Sequence, residues 1–273
     1  MGSGKRSKNG IRNPSSGERL RSGTGGVTKT KKNKFKTKNN MDNNSENIRT
    51  KDSNELNNKN DGSICVASAT PAELLRFFIN QYQSANAIQL SALELESITD
   101  KCILELSQGL AQNASNLGEH IKASFGSSWK EVLCEKQLIE GKIDPGSPAV
   151  LVISLSALRS LELQRGLRTL TRECPAAKLF SKHMKIEDQV VFLKNRVNIA
   201  SGTPNRIKKL IDLEALSLSR LEVIVLDLQK DVKGYSLFTL PQVRHEFWDL
   251  YKSYFHPRIV EGSLRICLYG HNS

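Results

Sequence analysis

Apolar positions along the chain change their spacing near residue 145. Between about residues 70 and 140 they recur every three or four residues, as on the buried face of a helix. Capping sequences mark three helix starts, Thr-Pro-Ala-Glu at 70–73, Ser-Ala-Leu-Glu at 91–94 and Ser-Trp-Lys-Glu at 128–131. The second helix is predicted to carry one buried stripe of five residues: Leu95, Ile98, Cys102, Leu106 and Leu110.

From residue 145, short apolar or β-branched runs alternate with amphipathic helical stretches. Strands are predicted at 150–154, 178–180, 197–201, 222–227 and 264–268. Helices are predicted from residue 156 to about 172, and at 186–194, 204–212 and 241–254. The alternation is typical of βαβ units, so we predict an α/β fold with a mainly parallel sheet. Ligands of such sheets bind beyond the carboxyl ends of the strands.

The first 63 residues carry most of the excess positive charge. They contain 15 Lys and Arg against 6 Asp and Glu, whereas residues 64–273 contain 25 against 22. A segment with so few apolar residues cannot bury enough surface to offset its ordering entropy. We therefore predict a disordered basic tail at 1–67, a helical segment that packs on the core at 68–144, and an α/β domain at 145–273.

Six lysines of the tail fall within ten residues, at 29–38. Dense basic runs of this kind are typical of nuclear-localisation signals and nucleic-acid patches, and a solubilising tail is the alternative. Five of these lysines are candidates for contact with RNA phosphates: Lys31, Lys32, Lys34, Lys36 and Lys38.

The cysteines do not suggest a disulfide framework or a metal site. Cys65, Cys102, Cys134, Cys174 and Cys267 are odd in number and widely spaced, with no CxxC pair, so reduced thiols are expected. No apolar run approaches the roughly 20 residues that span a bilayer, and the start lacks a secretory hydrophobic region. We expect a soluble intracellular protein without membrane partner, small-molecule substrate, metal or cofactor.

The third predicted strand leads into Gly-Thr-Pro-Asn-Arg at 202–206. Thr203 is a good N-cap and Pro204 a good first helical residue, so backbone N–H groups are expected at the start of the next helix. Three basic residues follow in its first turns, where they could meet a phosphate backbone: Arg206, Lys208 and Lys209. A capped helix with a solvated basic face is the alternative.

Asp227 ends the fourth predicted strand, which reads Leu-Glu-Val-Ile-Val-Leu-Asp from residue 221. In nucleotide hydrolases this position holds the Mg²⁺-binding Asp of a Walker B strand. An Asp at a strand end also starts many turns, so Asp227 alone does not define a nucleotide site.

Together, the segments at 202–206 and 221–227 resemble the first domain of DEAD-box RNA helicases. In that family a Gly-Thr-Pro-Gly-Arg motif is followed, at the end of the next strand, by Asp-Glu-Ala-Asp. The likeness covers about residues 145–270. It implies that the α/β part is a single RecA-like domain of the P-loop helicase type.

The helicase residues that hydrolyse ATP are missing from this sequence. No Gly-x-x-x-x-Gly-Lys-Ser/Thr loop is present to hold phosphates, and Leu228 stands where the helicase Glu follows the Asp. Residues 155–158 read Leu-Ser-Ala-Leu, so the Arg of the helicase Pro-Thr-Arg-Glu motif is also replaced. Asp227 is therefore expected to be a degenerate Walker B residue, and the chain is not expected to be an enzyme.

Four stretches, at 90–96, 146–148, 178–185 and 202–207, carry a closer resemblance. They are similar to the Cms-one family, nucleolar proteins associated with the small-subunit pre-ribosome. The most specific is Lys-Leu-Phe-Ser-Lys-His-Met-Lys at 178–185. The resemblance implies a nuclear and nucleolar location, with pre-ribosomal RNA and small-subunit pre-ribosome proteins as partners.

Three functions remain open from the sequence. The leading hypothesis is a non-catalytic RNA-associated factor in small ribosomal subunit biogenesis, with Thr203 and the basic residues of the following helix as RNA contacts. The second is a protein–protein adaptor in a ribonucleoprotein complex, which the near-neutral charge after residue 63 favours. The third is a residual ATPase, which would require Asp227 to bind Mg²⁺.

Overall fold

Five short apolar runs form one parallel sheet in the computed structural model, which describes residues 68–137 and 143–270. The strands are β1 (Val150–Ile153), β2 (Ala177–Leu179), β3 (Ile199–Gly202), β4 (Val223–Asp227) and β5 (Arg265–Tyr269). Their order is β2-β3-β1-β4-β5, and every neighbouring pair is parallel. The predicted α/β class and all five predicted strands are confirmed.

The α-helices of the described residues surround this sheet. They are α1 (Pro71–Asn86), α2 (Ala92–Ser97), α3 (Leu117–Ser124), α4 (Trp129–Leu133), α5 (Ala157–Gly166), α6 (Ile186–Leu193), α7 (Pro204–Asp212), α8 (Pro241–Leu250) and α9 (His256–Val260). Within this part of the chain, no helix is both long and apolar enough to cross a membrane.

The helices pack on both faces of the sheet, as the alternation of strand side chains requires. Leu151 and Ile153 of β1 share one buried cluster with α1, α6, α7 and α8. Val150 and Val152 share the other cluster with α3, α4 and α5. The chain therefore leaves β1 toward one face and leaves β3 and β4, its two neighbours, toward the other.

Two of the three predicted capping boxes are present. Thr70 and Ser91 each accept the N–H of the glutamate three residues on, and that glutamate bonds back to the N–H of the cap residue. The prediction for Ser128 is wrong. Its hydroxyl donates to the carbonyl of Phe125 at 2.8 Å, in the preceding 3₁₀ turn, and it makes no cap hydrogen bond with α4.

The long second helix predicted from the apolar stripe is also wrong. α2 ends at Ser97, and Ile103 and Leu104 instead run beside β5. The N–H of Leu104 donates to the carbonyl of Ile266 at 2.8 Å. Pairing with the open edge of the sheet buries both apolar residues, and this outweighs continuation of a solvent-facing helix. Leu95, at the head of the predicted stripe, is 39% exposed.

Two other helices are shorter than predicted. α5 ends at Gly166, where a side chain would collide with the carbonyl of Ala114, rather than near residue 172. The predicted helix at 241–254 is α8 followed by a π turn (Tyr251–Phe255) and then α9. Pro257 has no N–H and its ring crowds the preceding turn, so the α-helical hydrogen-bond register changes before it.

Two arginines, Arg196 buried and Arg220 partly buried, hold residues 129–137 against the amino-terminal ends of the strands. Arg196, before β3, donates to two carbonyls of this region at 2.6 and 2.9 Å. Arg220, before β4, donates to a third carbonyl at 3.3 Å. Asn198 lies between them, accepts from Arg196 at 2.9 Å and donates to a fourth carbonyl at 2.6 Å. Side chains thus satisfy the carbonyls at the end of α4, which the helix leaves unpaired.

Candidate interaction site at the carboxyl ends of the strands

The loops after β1, β3 and β4 lie side by side at the carboxyl edge of the sheet. The chain leaves β1 for the opposite face from its neighbours, and in parallel sheets such a switch of direction creates a crevice that binds ligands. The candidate site is built from the start of α5, the start of α7 and the loop that follows β4.

An ion pair fills the crevice between β1 and β4. Asp227, fully buried at the end of β4, accepts from Arg159 Nε at 3.0 Å and from Arg159 Nη2 at 2.8 Å. Arg159 also reaches Glu162 through Nη1 at 3.0 Å. Ser156 caps α5 by accepting the N–H of Arg159 at 3.2 Å, which fixes the start of the helix beside Asp227.

This pair decides what Asp227 can do chemically. Burial raises the pKa of the Asp227 carboxyl, and the Arg159 guanidinium opposes that rise. Both carboxylate oxygens already accept charge-assisted hydrogen bonds, so a divalent cation would compete with a guanidinium for the same oxygens. Elsewhere in the described part of the chain, no group of three or more His, Cys, Asp or Glu could hold a metal ion.

Sequence reasoning missed Arg159. It considered residues 155–158 and found no arginine there, but Arg159 stands one residue further along. The predicted parallel sheet held the available signal. β1 and β4 are neighbours, so the start of the helix after β1, which contains Arg159, lies beside the end of β4, which is Asp227.

At the end of β3, Gly202 lies against β2 so closely that a Cβ would stand 2.0 Å from the carbonyl oxygen of Leu179. The N–H of Thr203 donates to that carbonyl at 3.0 Å. Pro204 begins α7, as predicted. Thr203 is the N-cap residue, but its side chain makes no cap hydrogen bond, which corrects the prediction. Its N–H remains part of the sheet ladder, and its hydroxyl does not reach the first turn of α7.

The basic residues of α7 differ in how far they are already engaged. Arg206 is half-buried and donates from Nη1 to Gln189 Oε1 at 2.7 Å. Lys208 pairs with Asp212 at 3.1 Å, and the hydrogen bond with this carboxylate raises the pKa of Lys208. Lys209 is exposed. The candidate lysines of the tail, Lys31 to Lys38, lie outside the described residues.

The loop after β4 is tightly built. Leu228, where a helicase has Glu, is buried. Asp231 Oδ1 accepts the N–H groups of Lys233 and Tyr235 at 2.8 and 2.9 Å, and this closes the loop. Val232 at its tip is fully solvent-exposed. The sequence analysis did not predict this closed loop. The side chain that closes it is Asp231.

The cysteines of the described residues are free thiols. Burial raises the pKa of Cys102 to about 11 and that of Cys267 to about 12. Both therefore remain protonated and poorly nucleophilic at neutral pH.

An all-parallel α/β sheet, with a Gly-Thr-Pro turn after one strand and an Asp-ended strand two places away, defines a RecA-like domain of the DEAD-box helicase type. The chain belongs to the CMS1 family, described as "U3-containing 90S pre-ribosomal complex subunit", whose model matches residues 19–269. Both the fold class and the family resemblance expected from the sequence are confirmed.

Curated relatives match between about a third and three quarters of the chain. Protein CMSS1 of Xenopus laevis is 29% identical over 208 residues, which cover 74% of this chain and 69% of the frog protein. Protein CMSS1 of Homo sapiens is 31% identical over 186 residues, covering 66% of this chain and 61% of the human protein. Protein CMS1 of Chaetomium thermophilum is 43% identical over 95 residues, 34% of this chain and 38% of the fungal protein.

Among solved structures, the yeast DEAD-box splicing factor Prp28 covers 44% of this chain, and the match covers 27% of Prp28. The identity is 14% and the TM-score 0.34. The RecA-like class follows from the sheet order and from the positions of the two motifs.

Proposed function

We propose that this chain is a non-catalytic, RNA-associated factor of small ribosomal subunit biogenesis that acts in the nucleolus. The description of its family as a subunit of the U3-containing 90S pre-ribosomal complex supports this setting. One observation carries the non-catalytic part, because Arg159 takes both oxygens of the only strand-end aspartate available to bind Mg²⁺ among the described strands. The absence of a phosphate-binding loop from the sequence agrees with it.

The proposed RNA contacts are Thr203, Arg206 and Lys209 in the folded part. A guanidinium carries five N–H donors, so the bond from Arg206 to Gln189 leaves others for phosphate oxygens. Lys208 contributes less, since Asp212 and Asp249 share its ammonium. The lysines at 29–38 would add sequence-independent attraction to phosphates.

Photo-crosslinking of the purified full chain to single-stranded RNA, followed by peptide mapping, tests direct contact. We expect crosslinked peptides from residues 203–209 and from the tail. Crosslinks confined to the tail would leave the folded part as the protein–protein adaptor of the second hypothesis. The near-neutral charge of residues 64–273 and the engaged Lys208 favour that second function.

Affinity purification from cells tests the assembly setting. We expect pre-ribosomal RNA and small-subunit assembly factors to be enriched with the chain, and their absence would contradict the proposal.

An ATPase assay tests the non-catalytic part. No release of phosphate from Mg·ATP above the level without protein is expected, whereas release that Asp227→Asn abolishes would overturn it.

A further inference from the structure

The outer edge of the sheet at β2 is only partly covered. β2 pairs with β3 on one side and has no strand on the other among the described residues. The carbonyl of Leu179 points to β3, where it accepts from Thr203. Because backbone groups alternate along a strand, the N–H and C=O of Lys178 point away from the sheet. An uncovered edge of this kind is a ready partner for another extended chain.

The side chain of Gln189, on α6, covers one half of this edge. Its Nε2 donates to the carbonyls of Lys178 at 2.7 Å and Phe180 at 3.0 Å. Its Oε1 accepts from Arg206, and among the described residues Gln189 makes no hydrogen bond with the Lys178 N–H. At this edge the carbonyls of Lys178 and Phe180 are therefore already hydrogen-bonded, whereas the N–H of Lys178 is directed outward.

A cavity of about 300 Å³ adjoins this donor. Its wall is mainly apolar and comes from the chain before β2, from β2 itself, from the loop after it and from α6: Pro175, Ala176, Leu179, Met184, Phe192 and Leu193. Phe192 is 39% exposed at its mouth. The cavity has room for one medium-sized apolar side chain, and Asp188 in its lining would repel an anionic one.

Charge on the opposite side of the edge differs in sign. Ala177 and Leu179 are buried toward the cluster that contains α6, so Lys178 projects to the other side and is exposed. Side chains of an added strand would alternate in the same way. One would enter the cavity beside α6, and its sequence neighbours would lie near the Lys178 ammonium.

We propose that the β2 edge docks a short extended segment of a partner protein, in which an apolar residue is flanked by acidic residues. A carbonyl of the segment accepts from the Lys178 N–H, the apolar side chain fills the cavity, and a flanking carboxylate pairs with Lys178. This is strand addition over a short length, with specificity set by one pocket and one charge. Gln189 connects this site to Arg206, one of the proposed RNA contacts, but docking of the segment does not require RNA.

Fluorescence anisotropy with labelled pentapeptides and the full chain tests this docking. The probes are Ser-Asp-X-Asp-Ser, with X as Leu, Met or Phe, and the charge-reversed Ser-Lys-X-Lys-Ser. We expect at least one acidic probe to bind with a dissociation constant below about 1 mM, and its lysine counterpart to bind about tenfold more weakly. If every acidic probe had a dissociation constant above about 1 mM, the proposal would be overturned.

Variants of the chain locate the binding. Phe192→Ser opens the cavity mouth and Lys178→Glu reverses the charge, and each is expected to weaken the acidic probe about tenfold. Val191→Ser is the matched control, because Val191 is 62% exposed on the same helix and does not line the cavity. Unchanged thermal unfolding verifies the fold of each variant. If the Phe192→Ser variant bound the acidic probe as tightly as the parent chain does, the proposal would be contradicted.

Other occupants give different results in the same experiments. If a second copy of the chain paired with this edge, sedimentation would show a dimer that Lys178→Glu dissociates. If RNA occupied it, a single-stranded RNA oligonucleotide would displace the acidic probe. Either result would overturn the proposal without bearing on nucleolar assembly or on crosslinks at residues 203–209.

Discussion

At the scale of single residues, Arg159 supplies to Asp227 the positive charge that a metal ion supplies in a hydrolase. The Asp227 side chain is fully buried and the Arg159 side chain is 14% exposed. Removing one partner of such a pair leaves an uncompensated buried charge, which costs far more than the pair itself contributes.

Arg159→Met is therefore expected to lower the free energy of unfolding by about 3–5 kcal/mol in urea titrations. Arg159→Met combined with Asp227→Leu should recover most of the loss, because no buried charge then remains. Arg165→Met, at an exposed position of α5, is the control and should change stability by less than about 0.5 kcal/mol. Equal losses in the single and double variants would contradict this account.

His120 predicts a dependence of stability on pH. Its ring is buried edge-on to Tyr269, and within the described residues neither nitrogen has a hydrogen-bond partner. Burial lowers the pKa of His120, and the nearby carbonyls of Ala111 and Leu110 oppose the shift. As the pH falls below 6.5, the His120 ring binds a proton in the unfolded chain but stays neutral in the folded chain. Protonation therefore favours the unfolded state, and stability is lost as the pH falls.

His120→Phe removes this proton linkage. Urea midpoints measured from pH 7.5 down to about pH 5 should fall less steeply for the variant than for the parent chain. Some decline should persist, since burial also lowers the pKa of His256. Parallel curves would show that His120 does not contribute.

At the scale of elements, the clamp formed by Arg196, Asn198 and Arg220 explains how a helix as short as α4 stays in position. Isolated helices of this length are unstable, so α4 depends on tertiary contacts. Arg196→Met should lower the free energy of unfolding by about 3 kcal/mol, because two part-buried hydrogen bonds from a charged donor to backbone carbonyls are lost.

The same variant should expose α4 to protease. Limited chymotrypsin digestion, read by mass spectrometry, is expected to cleave after Trp129 faster in Arg196→Met than in the parent chain. Arg172→Met, at an exposed position, is the control. Unchanged cleavage would mean that other contacts hold the helix.

The strands and α7 could be predicted closely because their signals are local. Apolar runs define the strands, and Pro204 marks the first residue of α7. The stripe from Leu95 misled because it does not reveal that Ile103 and Leu104 pair with β5. That pairing joins residues far apart in the chain, and helix propensity is too weak to resist it.

The candidate site divides in the same way. Asp227 and residues 202–206 stand at the carboxyl edge where their motifs indicated. Arg159 and Gln189 were not identified, since their importance depends on which side chains they meet across the sheet. An arginine in a helix and a glutamine in another carry no sequence signal of that kind.

At the scale of the whole molecule, the charge is divided between two regions. Residues 1–63 hold 15 Lys and Arg against 6 Asp and Glu, and the remainder is close to neutral. Attraction of such a basic segment to RNA works through release of counterions and falls steeply with salt. The folded part would add contacts that depend less on salt.

Deletion of residues 1–40 should therefore weaken binding to a single-stranded RNA oligonucleotide far more at about 50 mM than at about 200 mM salt. Fluorescence anisotropy at both concentrations measures the difference. An Arg206→Ala variant of the full chain removes one phosphate contact, so its loss of affinity should differ much less between the two concentrations. Equal losses at the two concentrations upon deletion would rule out an electrostatic role for the tail.

Gln189 has a consequence for how related chains can vary. Its amide serves two carbonyls of the β2 edge and one guanidinium, and the residue is only 2% exposed. Glutamate has the same shape but no donor, and its charge would face two carbonyl oxygens. Across an alignment of relatives, positions 189 and 206 are therefore expected to co-vary, because a change at either one alone removes the hydrogen-bond partner of the other.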